Sequence, residues 1–506
     1  MRLLIATDFP PDASGGGPAV VRQMLAGCPG EIHWWSVRPG RMQNAKWGMG
    51  NGGEGRSSLQ DSGTPGRQCG GGGPLCGAGF SVASCTSFSP GKLFPSRKLP
   101  WLKAWLMEHL WAAGAARSLQ RTINRVQPDL IWVIPHDWSI FPLHRVLITQ
   151  CEIQNTKCEI PKFHVTIQDY PDAHDHGRIW GHARVTRMAR MQEELYAKAS
   201  SRDATSLPML EDLEKRTGKA GIQMLHQGLE AEDFVFLKNP ESRIPPKNPP
   251  LPPQESGSEI EDPAEGPSSA STGIGTRNRR SRQRAILSPN RNRDPKRIRI
   301  AYAGTILVEK EFALFCEMLE QVRNWQPAIP NTGPKILPKG HPFSQQESGL
   351  GTSNEGFDIH LELWGAHSYA KRPWFRRVWM TEHGNLSEDT LLDELRSCDW
   401  GYIPMALEDF DPGYNRYSFP TKFITYLAAG LPIITMGHPE SSVMKMACSY
   451  DVGLRISSAD QPLADLKGAL QDLDAKKKYR PEILRCAQDH FDATHMRAQL
   501  RENLLA

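Results

Sequence analysis

The sequence is short of features that would each have settled its class. No window approaches the roughly 18 consecutive apolar residues of a membrane-spanning helix, and the opening MRLLIATDFPP turns polar too soon for a secretory leader. The ten cysteines include no C-x-x-C pair and lie mostly in apolar runs, so reduced structural thiols are expected. Cys69, Cys76 and Cys85 sit in a Gly-rich stretch at irregular spacing with no histidine beside them, and no zinc site is expected there. No Asp-x-Asp directly follows a strand pattern, and no repeat of solenoid period is visible. Net charge is nearly absent too: 60 Lys+Arg against 56 Asp+Glu gives +4. Ten basic residues and one acid between Arg277 and Arg299 contribute +9, which leaves about −5 elsewhere and gives no reason to expect a nucleic-acid surface. These absences lead us to expect a cytoplasmic protein, peripheral at most at the inner face of a membrane.

What is present, in 506 residues, is enough for about two large domains once the low-complexity stretches are set aside. RLLIATD (2–8) is a short apolar run, followed by a turn-rich FPPDASGGGP and a helical pattern that stops at CPG: a strand-loop-helix unit. IHWWSVRP (32–39) adds a strand. Residues 44–98, with thirteen glycines between Gly48 and Gly79, read as a low-complexity insertion. Further on, helical patterns alternate with the apolar strands DLIWVIP and KFHVTIQD, which implies a parallel, doubly wound sheet. Seven prolines between Pro240 and Pro253 and the arginine run then mark a disordered linker over 237–296. RIRIAYAG (297–304) opens a second α/β series reaching about residue 475, with helices over 476–506. The chain therefore reads as α/β, with domains 1–236 and 297–475 facing a cleft, and ligands are expected beyond the carboxyl ends of the strands.

Three places in this pattern suit an anion. Gly15, Gly16 and Gly17 precede a helix, where backbone N–H groups and the helix dipole can meet a phosphate, although the loop lacks the G-x-G-x-x-G spacing. In AYAGTILVEKEF, Gly304 and Thr305 end a strand and Lys310 starts the next helix. A lysine there opposes the dipole, which suits a residue facing a ligand anion. In YSFPTKFITYLAAGLP, Ser418 leads into Pro420 and Thr421, an ideal helix start with Lys422 in its first turn. Lys310 and Lys422 could converge on one diphosphate. On the first domain, Asp169, His174 and His176 follow a strand, and His136-Asp137 follows another, as candidate acceptor or sugar contacts.

These segments, in their order, resemble family 4 retaining glycosyltransferases of the GT-B fold, which has two Rossmann-like domains. AGTILVEK resembles the donor loop "G-R-L-x-x-x-K", LHQGLEAEDF the interdomain "N-G-V-D-x-x-x-F", and PTKFITYLAAGLPII the helix "G-L-P-x-x-E-A-M-A-x-G-x-P-V-V". LELWGAHS and LLDELRSCDWGYIPM resemble two further strand motifs. The chain departs from the pattern in three places. Tyr417 and Thr425 occupy the positions of the Glu-x7-Glu pair, Thr305 that of a diphosphate-binding arginine, and Gln168 that of the histidine in "T-V-H-D". The resemblance implies transfer of a hexose from a nucleoside diphosphate sugar to a glycan or lipid-linked saccharide, as in surface polysaccharide assembly, with retention and with neither cofactor nor metal. It implies that Lys310, Lys422 and Asp169 serve the reaction, and that Gly15, Gly16, Gly17, Gly304, Thr305, Ser418, Pro420 and Thr421 bind the donor. The lost glutamate pair motivates an alternative, a non-catalytic sugar-nucleotide-binding relic.

Overall fold

The alternation of apolar strands and amphipathic helices resolves, in a computed structural model, into two six-stranded sheets. The structure describes residues 1–13, 16–37, 81–88, 104–149, 161–171, 181–240, 297–325, 358–409, 412–461 and 463–505. In the first sheet the strands are β1 (Arg2–Thr7), β2 (Glu31–Val37), β3 (Val82–Phe88), β4 (Leu130–Val133), β5 (Lys162–Ile167) and β6 (Ser201–Ala204), in the order β3-β2-β1-β4-β5-β6. The second holds β7 (Arg297–Ala303), β8 (Asp358–Trp364), β9 (Met380–Gly384), β10 (Trp400–Pro404), β11 (Ile433–Met436) and β12 (Arg455–Ile456), in the order β12-β11-β10-β7-β8-β9. Every pairing is parallel. Both sheets thus have the same doubly wound order, with switch points between β1 and β4 and between β7 and β10.

Parallel strands covered on both faces need apolar residues at odd and even positions alike, and β1 supplies them. Leu3 and Ile5 join one buried cluster, Leu4 and Ala6 the other. In the second sheet Ala301 and Ala303 face one cluster, and Ile300 and Tyr302 the opposite one. Helices cover these faces: α1 (Gly16–Leu25), α2 (Ala112–Val126), α3 (Ile140–His144), α4 (His182–Lys198) and α5 (Leu207–Thr217) on the first sheet. After the crossover helix α6 (Ala231–Lys238) come α7 (Glu309–Arg323), α8 (Glu388–Arg396), α9 (Pro412–Tyr417), α10 (Thr421–Ala428), α11 (Ser442–Tyr450) and α12 (Leu463–Gln471). Two helices end the chain, α13 (Ala475–His490) and α14 (Ala493–Leu505).

Two sequence-based boundaries need correction. The supposed insertion 44–98 contains β3, which pairs in register with β2 from His33↔Ser84 to Val37↔Phe88. Its run VASCTSF is small and polar because an edge strand is only half covered, so no apolar period announces it. The boundary at 236 falls inside α6, and the preceding crossover packs on the second sheet: Met224, Leu229 and Leu237 belong to that sheet's core. In exchange α14 returns to the first sheet, where Met496, Leu500 and Leu504 pack with Leu3, Ile5 and Val20. A bidentate pair between Arg497 and Glu230, at 2.7 and 2.8 Å, fastens this exchange. The remainder of 44–98 and the linker from 241 lie outside the described residues.

Candidate functional site

The loops at the carboxyl ends of the two sheets bring two helix starts together. α1 begins at Gly16 and α10 at Thr421, and a Cβ placed on Gly16 would stand 2.8 Å from the Thr421 Cγ2. Only a residue without Cβ permits this approach. Gly17 is equally confined, by the Gln168 side chain, whose Nε2 lies 3.5 Å from the Gly17 carbonyl. Each helix start leaves its first N–H groups without intrahelical partners and carries a partial positive charge. Two such ends in contact repel each other, and an anion between them would relieve that repulsion.

Lys422 lies in the first turn of α10, where its Nζ donates to the Tyr302 hydroxyl at 2.8 Å and sits 4.2 Å from the centre of the Tyr302 ring. Tyr302 is buried in β7, and its hydroxyl donates a hydrogen bond to the Thr305 carbonyl at 2.7 Å. The side chain of Lys422 keeps a partial opening to solvent, yet its ammonium lies deep in the surrounding protein, and desolvation brings its pKa down to about 7. No carboxylate offsets that cost among the described residues. Gly304, at φ +104°, leaves open the space beside the Lys422 stem, where a Cβ would lie 3.9 Å from Cε. Gly304, Thr305, Pro420, Thr421 and Lys422 thus share one corner. The backbone of Ser418 is held from behind, its carbonyl accepting from the Ser442 hydroxyl.

Lys310 does not reach this corner. It is exposed on α7, where its Nζ contacts the Glu408 carboxylate at 2.8 Å, and hydrogen bonding to Glu408 raises its pKa. So exposed a pair adds little to stability, because solvent screens it. The expected convergence of the two lysines is therefore not found in this conformation. Gly15, His174 and His176 lie outside the described residues.

On the first sheet, Asp8 follows β1, His136 and Asp137 follow β4, and Asp169 follows β5. The His136 Nδ1 lies 3.1 Å from the Asp8 carboxylate and 3.7 Å from that of Asp137, and its Nε2 is 3.7 Å from Asp169. Asp137 adopts φ +46°, a left-handed conformation that aspartate tolerates better than most residues. Burial works against a proton on His136, but the carboxylates of Asp137, Asp8 and Asp169 outweigh it and hold the imidazole protonated well above its ordinary range. Sequence reading named His136, Asp137 and Asp169 separately and missed Asp8. The available signal was its place immediately after the first strand.

Tyr417 and Thr425 each have a structural contact of their own. The Tyr417 ring packs 5.0 Å from that of Tyr170, bridging the two halves, and the Thr425 hydroxyl donates back to the Thr421 carbonyl within α10. Sequence reading also missed His226 in the crossover, whose Nε2–H donates to the Phe419 carbonyl at 3.0 Å while Nδ1 accepts from the Gln227 N–H. Burial keeps this imidazole neutral, with a pKa brought down to about 4. It anchors the approach to α10 from the crossover side.

No family profile and no curated protein matches the chain by sequence. Solved structures do match its backbone. It is similar to a sucrose-phosphate synthase from Thermosynechococcus elongatus, with 12% identity, 99% of this chain and 97% of that one covered, and a TM-score of 0.55. A trehalose-6-phosphate protein of E. coli bound with UDP-2-fluoro glucose matches at 11% identity, 100% and 99% coverage, and a TM-score of 0.52. HepE of Anabaena, in complex with UDP and glucose, matches at 10%, 100% and 99%, and 0.52. At these identities the likeness is one of fold, and that fold is the GT-B arrangement of two doubly wound sheets.

Proposed function

We propose that this GT-B chain is a glycosyltransferase that moves a hexose from a nucleoside diphosphate sugar to a glycan or lipid-linked saccharide. The observation that carries the reading is the abutment of the α1 and α10 starts at Gly16 and Thr421, with Lys422 behind them and no acid to neutralise it among the described residues. As the glycosidic bond breaks, negative charge develops on the leaving diphosphate, and prearranged N–H groups and a cation aimed at it lower the barrier. Under this reading the α10 start and Lys422 hold the diphosphate, α1 faces it from the acceptor side, and Lys310 joins by leaving Glu408. These protein groups would do so without a metal. The second-sheet unit (297–475) holds the donor and the first-sheet unit the acceptor, whose hydroxyl would approach near Asp169 and His136. Retention, as in the family the sequence resembles, would need no protein nucleophile, only an acceptor held close to the leaving oxygen.

UDP and UDP-sugar analogues occupy the structures of similar fold, so UDP-glucose is the first donor to test, with GDP- and ADP-glucose beside it. A bound donor at 100 times its dissociation constant stabilises the fold by about 2.7 kcal/mol. Lys422→Ala should weaken binding by roughly ten- to a hundredfold, the loss of one charge-assisted contact of about 1.5–3 kcal/mol. Exposed Lys371→Ala is the control. Equal binding by parent and Lys422→Ala would overturn the phosphate assignment. Tight binding with no nucleotide release in the presence of acceptors would favour the relic, a reading to which the replacement of both glutamates by Tyr417 and Thr425 lends weight.

A further inference from the structure

Helix α4 buries a stripe at Val185, Met188, Gln192 and Leu195, spaced three and four residues apart as a core-facing seam should be. Three of the four are apolar. The fourth, Gln192, is only 1% exposed, although an amide at such a place needs partners for every polar atom or is costly to bury. Its Nε2 has them: it donates to the Pro135 carbonyl at 2.9 Å and to the Asp169 carbonyl at 3.0 Å. Its Oε1 is buried with no partner among the described residues. Packing alone would be served better by leucine or methionine, which would leave no orphan oxygen.

The two acceptors explain the amide. Pro135 is the residue before His136, in the loop after β4, and Asp169 stands in the loop after β5. β4 and β5 are hydrogen-bonded neighbours, but their ladder ends at Val133↔Val165, so the two loops beyond it are not paired strand to strand with each other. One side chain with two N–H groups spans them.

We propose that Gln192 is a positioning residue that ties the β4 and β5 loops at a fixed separation and so holds His136 against the Asp169 carboxylate. The relevance of this to transfer rests on the glycosyltransferase reading above, but the positioning itself does not. Among the described residues the charged groups that face His136 are Asp8 from the β1 loop, Asp137 beside it and Asp169 from the β5 loop, and Gln192 adds none. Loosening the tie therefore changes the charges around His136 only by moving a carboxylate away.

The test follows the His136 imidazole by NMR in the full chain labelled at histidine carbon, its signal assigned by its loss in His136→Gln. Gln192→Leu removes both donors together with the orphan oxygen, and Gln192→Met does the same with a flexible chain of closer length should the leucine variant fold poorly. The expected result is a His136 titration midpoint lowered by about one pH unit, a tenfold weaker hold on the proton. The His226 signal, which reports a different loop, should stay in place and so exclude general loosening. An unchanged His136 midpoint in a folded variant overturns the proposal. A lowered midpoint with UDP-glucose turnover unaltered upholds the positioning and removes the His136–Asp169 cluster from the reaction, so the two claims fail separately.

Discussion

At the scale of single residues, the two candidate lysines differ in whether a carboxylate meets them among the described residues. Lys310 and Lys422 look alike in sequence, each in the first turn of a helix after a strand, yet Lys310 meets Glu408 in solvent while Lys422 is desolvated over Tyr302. With a pKa near 7, Lys422 is largely neutral in the free protein at pH 8, and a diphosphate beside it would restore its charge. Nucleoside diphosphate binding at pH 8 should therefore take up close to one proton. Calorimetry in buffers of different ionisation enthalpy would read this, and Lys422→Met should abolish the uptake. His226 gives a second prediction with the same kind of arithmetic. Its folded pKa of about 4 lies below the unfolded value of about 6.5, so the unfolded chain binds more protons between those limits and stability falls as pH drops through them. Denaturant titrations should show the parent losing up to about 3 kcal/mol more than His226→Gln between pH 6.5 and pH 4. Equal slopes would mean that the imidazole is not held neutral.

At the scale of elements, the contact between α1 and α10 brings the two halves together at Gly16 and Thr421. Gly16→Ala places a methyl group against the Thr421 Cγ2, and relieving the overlap requires one helix start to retreat. Overpacking of this kind costs roughly 1–3 kcal/mol and should lower donor affinity, because the N–H groups of both helices shift from their places. Thr421→Ser removes the clashing methyl, so the double variant should recover most of both losses. A coupling energy near zero in that cycle would show that the two helix starts do not touch in solution. The strand β3 offers another element-scale test. Shortening the chain within 44–80 should leave cooperative unfolding intact, whereas deleting 44–98 removes the partner of β2 and leaves that strand's edge open, so insoluble protein is expected only from the longer deletion.

At the scale of the whole molecule, the two sheets are joined by an exchange. The crossover through Leu229 and Leu237 packs on the second core, and α14 packs on the first, so each half carries a segment that the chain order assigns to the other. Gln23 on α1 accepts from the Gly228 N–H and donates to Glu230, the same carboxylate that Arg497 grips. Helix α1 of the first sheet is thereby fastened to both crossing segments. Relative motion of the halves must act on this knot, which lies at the base of α1.

The sequence by itself determined the two doubly wound sheets, because buried parallel strands must be apolar on both faces and the runs RLLIAT, LIWV, RIRIAYA and LPIITM can be little else. It also determined that one helix begins beside Gly15–Gly17 and another at Pro420-Thr421, although the start at Gly16 itself was set by the structure, and with them most of the corner where the two helices meet. It could not disclose β3, a polar edge strand without period, nor β12, only two residues long. The environment of each ionisable group was likewise undetermined, since burial and neighbours arise only when distant segments meet. Asp8 lies more than a hundred residues of chain before His136 and Asp169 well after it, yet both carboxylates meet the His136 imidazole, and Gln192 reads as an ordinary helix residue until the two carbonyls it joins are seen. Local periodicity fixes most of the elements that form. Which side chains lose water, and which charges then face each other, is decided by the tertiary contacts alone.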